Sequence, residues 1–377
     1  MAVDHRETRN PPSDLLQIPT VWRYELLRYL RSWRLLASVA VVIAILALLY
    51  LLPPALGQPY SGTDTDRKLY VSDFAGLNMT VPGMSEFLSF GALNRSVIDT
   101  DTLAIYVDGV LYPSNNSANW FFITLTFEEE LPAIFGGTPK INAVVFKDDL
   151  TANEVTATYD WYTSEEDFDG LFLNFASFLA IICATFFAAD SLVGEFQNRT
   201  GYLIFPNPIR REILYLGKFS ASVTAGLVVM VIFYAGVTLL SMVEVRGVDD
   251  DFGISLLFSL EFLVAATAVA YLISAIMKGS TGSIVLTFLM FIIILPIIDS
   301  VSSFTGVKID ASLTFASTVI NWIVIDPYPV DSSAEAFGYT FYSFYPAPST
   351  AAFVMLAYIV LSMVVSLVLF KRKQLVG

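Results

Sequence analysis

Leu35–Leu52 reads LLASVAVVIAILALLYLL, an unbroken apolar run without a single charge. At 1.5 Å rise per residue a helix of this length reaches roughly 27 Å, enough to cross the hydrocarbon core of a bilayer. The run is longer than the roughly 7–15 residues of a signal-peptide apolar core, and a long polar segment precedes it. An uncleaved first span is therefore expected. Working outward, five more runs of similar character follow: Leu171–Ala189, Phe219–Met242, Ile254–Met277, Ser283–Ile298 and Ala351–Phe370. Of the 377 residues 55% are hydrophobic and only 15% charged, against about 25% charged in a soluble domain. The mean hydropathy is +0.64. The expected fold class is an all-α polytopic membrane protein with six transmembrane helices and a β-rich extracellular domain inserted between helices 1 and 2. This composition argues against a cytoplasmic enzyme, a secreted domain and a nucleic-acid binder.

Cationic residues set the orientation, because Lys and Arg concentrate on the cytoplasmic side. Arg23, Arg28, Arg31 and Arg34 precede the first span; Lys371, Arg372 and Lys373 follow the last; Arg199, Arg210, Arg211 and Lys218 crowd the loop between spans two and three. Six spans with both termini cytoplasmic, in the cell membrane, satisfy every cluster. Ala311–Ile325 is apolar but short for a crossing, and is read as a re-entrant or interfacial helix within an outer segment 300–349. Leu16–Trp33 carries Val21, Trp22, Leu26, Tyr29, Leu30 and Trp33 at helical spacing among its arginines. This pattern fits an amphipathic helix on the inner surface, within a cytoplasmic region 1–34, or an extension of the first span.

Residues 53–169 are expected to form the extracellular domain. Leu103–Val107, Phe121–Phe127, Ile141–Phe146 and Val155–Trp161 alternate as strands do, and Asp108-Gly109 between two of the apolar runs signals a two-residue hairpin. The domain supplies most of the formal charge of −14, through Glu128-Glu129-Glu130, Asp148-Asp149 and Glu165-Glu166-Asp167. The carboxylates are spread out and match no calcium-loop spacing, so solvation of a surface in high salt, as in a halophilic source, is preferred over a cation site. With one cysteine, Cys183, and one histidine, His5, neither a disulfide, a zinc site nor a histidine-based triad is expected.

Asp190–Lys218 is too long and too charged to be a mere turn. It holds Glu195, Arg199 and Gly201, then Pro206 and Pro208, then Arg210-Arg211, and ends on Gly217-Lys218. The prolines predict a helix–break–helix element lying near the inner surface. The order acidic residue, glycine with a following apolar stretch, Pro-Ile-Arg-Arg, then Gly-Lys resembles the inner loop of type-two ABC transporter permeases. It is carried by Glu195, Gly201, Leu203, Pro208, Ile209, Arg210, Ile213, Leu214, Gly217 and Lys218. The tight turn Leu272–Lys278 resembles a second feature of that family. Tyr202 stands where the family often has threonine, and the interval from Gly201 to Pro208 is slightly short.

The resemblance implies a coupling helix that docks on a separate ATPase subunit, with Glu195, Arg199, Gly201, Pro208, Arg210 and Arg211 as contact residues. It also implies a pair of permease subunits, identical or different, working with the ATPases and surrounded by membrane lipid. No phosphate-loop pattern G-x-x-x-x-G-K-[ST] occurs in the chain, so ATP is expected on the partner and no cofactor or catalytic residue here. Glu261 is the carboxylate deepest in an apolar run, and with Asn174 it forms the translocation-path candidates, although a bond from Asn174 to a neighbouring helix is the plainer reading. Asp190 and Asp299, at span ends, are expected to be solvated. The function expected is export of a substrate coupled to ATP hydrolysis on another subunit; the alternatives are a secondary transporter and a membrane sensor whose acidic domain binds a ligand.

Overall fold

The computed structural model describes residues 14–69, 71–73, 89–93, 97–113, 119–126, 140–146, 154–197, 210–336 and 339–372. Among the described residues six helical stretches are long and apolar enough to cross a membrane: Trp33–Ala55, Glu165–Phe187, Arg211–Glu244, Phe252–Ile276, Ser280–Thr305 and Pro348–Arg372. In hydrocarbon every backbone N–H and C=O must be satisfied within the segment, so an apolar run of this length is held to a helix.

Helix α1 (Asp14–Leu30) is separated from α2 (Trp33–Ala55) by a corner at Arg31–Ser32, where Ser32 is extended at φ −86°, ψ 150°. It is a helix in its own right and not a continuation of the first span. The far end of α2 closes on Gly57 at φ +81°, with Gly57 N–H bonded to the Pro54 carbonyl and Gln58 N–H to that of Pro53. This is the paired closure that a glycine past a helix end permits.

The β unit follows, between the first and second spans. One sheet has the order β1 (Ser61–Lys68), β9 (Val155–Tyr162), β5 (Ala104–Val107), β6 (Val110–Leu111), with β4 (Val97–Ile98) also on β9. The other runs β2 (Val71–Asp73), β3 (Ser89–Leu93), β8 (Lys140–Phe146), β7 (Trp120–Thr126), and all pairs are antiparallel. Along β9 burial alternates strictly, sending Val155, Ala157, Tyr159 and Trp161 inward to meet Ile105, Trp120, Val144 and Phe146. Asp108 and Gly109, both at positive φ, turn β5 into β6 as their dipeptide predicts.

The second span begins at Glu165, not at the predicted Leu171, and comprises α3 (Glu165–Leu173) and α4 (Ala176–Phe187). Ser164 caps it by accepting from Asp167 N–H, and the acidic first turn suits a helix N-terminus while hiding it from a hydropathy reading. A short helix α5 (Val193–Gln197) comes next, then α6 (Arg211–Glu244) and α7 (Phe252–Ile276). The fifth span is α8 (Ser280–Leu289) and α9 (Leu295–Thr305), joined by a π turn at Met290–Ile294. The stretch 311–325 folds into two short helices, α10 (Leu313–Ser317) and α11 (Val319–Trp322), neither long enough to cross. Backbone carbonyls of this stretch are held from three sides: Ser177 Oγ donates to Ser317 O, Ser255 Oγ to Ile320 O and Tyr358 OH to Ala311 O. A hairpin of β10 (Ser332–Ala336) and β11 (Tyr339–Ser343) precedes the last helix, α12 (Pro348–Arg372).

The longest helix, α6, ties the two ends of the bundle together. Its 34 residues make about 51 Å, some 20 Å more than a hydrocarbon core needs. At one end Glu244 accepts from Tyr50 OH at 2.6 Å, and Arg246 just beyond pairs with Asp99 of the β unit at 2.9 Å. At the other end Arg211 donates to the Lys371 carbonyl and Tyr215 bonds Ser366, which places the last turns of α12 beside the start of α6.

Candidate functional site

At that second end α6 opens on Gly217 and Lys218. A methyl group on Gly217 would lie 2.6 Å from Val21 Cγ1 and 3.3 Å from the Ile18 carbonyl, so only glycine lets α1 lie this close. The close approach carries Glu25 of α1 to Lys218, Nζ to Oε1 2.6 Å. Lys218 Nζ is also 2.6 Å from Glu195 Oε1 on α5. The lysine side chain is fully withdrawn from solvent, and those of Glu25 and Glu195 are 13% and 8% exposed. Arg28 reaches Glu25 Oε2 at 3.0 Å from its outer side. Two cations and two carboxylates thus balance to zero net charge, which is what makes so buried a lysine tolerable. Burial is the largest single influence on the Arg28 guanidinium and would depress it, but Glu25, Tyr29 and Glu195 together outweigh burial, so the group is held above its ordinary value.

Segment 189–197 is fastened on every side. Ser274, near the end of α7, accepts from the N–H groups of Leu192 and Val193 at 3.2 and 3.1 Å and so caps the start of α5. At the other end of α5, Gln197 Oε1 accepts from Ser280 N–H, the first residue of α8, at 2.7 Å. Asp190 takes two hydrogen bonds from the Arg34 guanidinium, 2.8 and 2.6 Å, in the forked geometry that arginine favours. Ser283 Oγ donates to the Ala189 carbonyl. Beneath these, Ser191, Tyr271, Ser222 and Tyr29 form a buried hydroxyl chain that ends on the Phe187 carbonyl.

Of the predicted contact residues, Glu195 is in this junction, Arg211 bonds the end of α12, and Arg210 sits at the cap position of α6 in extended backbone. Arg199, Gly201 and Pro208 lie outside the described residues, as does the predicted break at Pro206 and Pro208. The two path candidates are not brought together by any contact. Glu261 stands half-buried on the outward stripe of α7 that includes Gly253 and Leu257, and makes no hydrogen bond or ion pair among the described residues. Asn174 corrects the expectation of a bond to a neighbouring helix: its Nδ2 donates to Gly170 O of its own helix, 2.8 Å away, at the jog between α3 and α4. Asp190 and Asp299 likewise depart from simple solvation, the first held by Arg34 and the second accepting from Thr314 at 2.5 Å. Sequence placed Tyr29 only in the amphipathic pattern of Leu16–Trp33 and Ser274 only within the Leu272–Lys278 turn, and Glu25 and Tyr271 were not singled out, since each reads locally as an ordinary amphipathic residue. Among the described residues no group of three or more His, Cys, Asp or Glu side chains is arranged to hold a metal ion.

Segment 189–197 is thus joined directly to α2, α6, α7 and α8 by charged or backbone-directed contacts, and to α1 through Lys218. A comparison with curated proteins finds no match. The family model described as ABC-2 family transporter protein matches residues 20–375, which is nearly the whole chain and includes every element of the junction. The chain belongs to the ABC-2 family of transporter membrane proteins, and is an ABC transporter permease of many spans.

Proposed function

We propose that this permease couples ATP hydrolysis on a separate ATPase subunit to export of a substrate across the cell membrane, acting as one of two six-span halves. The single observation that carries the reading is the buried contact of Glu195 with Lys218 and, through it, with Glu25. A loop that only turned the chain would have no reason to commit three charges to one water-excluded point. In this reading the ATPase docks on the inner loop around Glu195–Arg211, with Arg199, Gly201, Pro208, Arg210 and Arg211 at the contact. Its closure displaces α5, and the junction passes that motion to the bundle as a rigid-body switch between inward- and outward-open states. Both termini are then cytoplasmic, the β unit is extracellular, and its carboxylates solvate it in high salt. Glu261 and Asn174 remain the path candidates. The charge of Glu261 has no partner within the described chain, so it needs a wet cavity or a second permease subunit across from it.

The test is a mild-detergent pull-down of the tagged chain from its native membrane, beside an Arg210→Glu/Arg211→Glu control. An ABC ATPase that co-purifies with the wild type and is lost in the control is the expected result. Repeated recovery of the wild type without any ATP-binding partner would overturn the coupling assignment.

A further inference from the structure

Helix α1 has two faces, and the junction uses one of them. Val21, Trp22, Glu25 and Tyr29 turn toward α6, with Trp22 Nε1 donating to Thr224 and Tyr29 OH to the Phe187 carbonyl. The opposite stripe, at spacings of three and four, is Arg23, Tyr24, Leu27, Leu30 and Arg31, and Trp33 continues it around the corner. It is open: Tyr24 is 71% exposed, Leu30 49% and Trp33 80%. The side chains of Arg23 and Arg31 are exposed and make no hydrogen bond or ion pair among the described residues, whereas Arg28 and Arg34 are committed to Glu25 and Asp190.

Neither water nor hydrocarbon suits this stripe. Four large apolar or aromatic side chains in one row make a patch that a water-facing helix does not expose without cause. Arginines in the bilayer core cost several kcal/mol, by contrast, so the row cannot lie in the acyl chains. The boundary between them suits both: aromatic rings rest at headgroup level, leucines reach the acyl margin, and guanidinium groups meet phosphates. Continuity fixes the depth. Trp33 opens α2, and the outward residues of that span continue as Leu36 and Ile43, each 60% exposed, so the stripe ends where the first span enters the membrane.

We infer that the outward stripe of α1 is a binding site for anionic phospholipid headgroups, with Arg23 and Arg31 each taking a lipid phosphate. Eight residues separate Arg23 from Arg31, just past the end of α1, and at helical rise this sets their backbone positions about 12 Å apart along the axis, room for two separate lipids. The site rests on the reading of this bundle as membrane-spanning with α1 at its cytoplasmic edge. It adds a function to α1: lipids that hold the outer stripe also hold Glu25 in place against Lys218.

The experiment uses the full chain in vesicles of phosphatidylcholine with an equal minor fraction of either brominated phosphatidylglycerol or brominated phosphatidylcholine, and reads quenching of Trp33. The Trp33 signal is the difference between the wild type and Trp33→Phe, since the chain has five tryptophans. Near an anionic surface each arginine adds about fivefold to lipid affinity, so the brominated anionic lipid should quench several-fold more effectively. Arg23→Gln/Arg31→Gln should bring the two lipids level, with an unchanged size-exclusion profile. Equal quenching by both lipids in the wild type, quenching by neither, or a preference retained in the double variant would each overturn the site. The readout involves no ATPase and no transport, so its failure is distinct from failure of the permease reading.

Discussion

Glu195 Oε1 lies 2.6 Å from Lys218 Nζ, and the lysine is completely excluded from solvent. Glu195 is on α5 after the second span and Lys218 on the first turns of α6, so the pair ties these two elements together, and Glu25 of α1 completes the contact. Removing the lysine strands two carboxylates in a water-poor site. Lys218→Met should therefore destabilise the protein by ~3–5 kcal/mol. Lys218→Met/Glu25→Gln/Glu195→Gln should recover most of the loss, because the one charge left without its partner, Arg28, has a side chain 54% exposed to solvent. Thermal unfolding in detergent measures both; a triple variant as unstable as the single one would show that charge balance is not what holds the junction.

Gly217 allows α1 to reach Lys218. Gly217→Ala places a methyl 2.6 Å from Val21 Cγ1, an overpacking worth ~1–3 kcal/mol. Because Val21 Cβ would itself lie 2.7 Å from the new methyl, it is Val21→Gly in the same chain that should relieve much of it. A double-mutant cycle on unfolding temperature tests the pair, and additive losses would remove Val21 as the cause.

The loop between α6 and α7 should make stability fall as pH rises through weak acidity. Burial raises the Asp249 carboxyl to about 6, with Glu166, Asp251 and Asp169 adding to the effect and the hydrogen bond from Asp251 N–H opposing it. Between the ordinary carboxylate value of about 4 and this raised value, the folded state holds a proton that the unfolded state has lost. The stabilisation is fully present below about pH 4 and disappears as pH climbs through 6. Unfolding temperatures across pH 4–7 should show this decline in the wild type, and Asp249→Asn should flatten it.

Glu261 has no partner to lose among the described residues. Glu261→Gln should leave expression and unfolding temperature within error of the wild type while lowering transport several-fold, if the carboxylate lines the path. A drop in stability with transport per folded molecule unchanged would assign it a structural role instead.

Much of this architecture is legible from local chemistry. The spans beginning at Trp33, Phe252, Ser280 and Pro348 start within three residues of their predicted runs, because a lipid-facing helix must be apolar along its full length. The Asp108-Gly109 turn and the alternation of β9 are equally local. Strand β1 was missed, since Ser61–Lys68 is polar on both faces and owes its conformation to pairing with β9. The starts of α3 and α6 were placed late because their first turns are charged and project past the apolar layer.

What the sequence by itself determined is therefore the set of spans, the turn chemistry and the charged inner loop, all of which follow from interactions between residues a few positions apart. Only the tertiary structure decided which charges meet. Glu25 and Lys218 are 193 residues apart, Arg34 and Asp190 156 apart, and no local pattern distinguishes Arg34, which is paired, from Arg31, whose side chain has no partner among the described residues. A salt bridge in a buried junction depends on two helices packing at one separation, here set by Gly217, and that separation belongs to the packed bundle and not to any one segment of the chain.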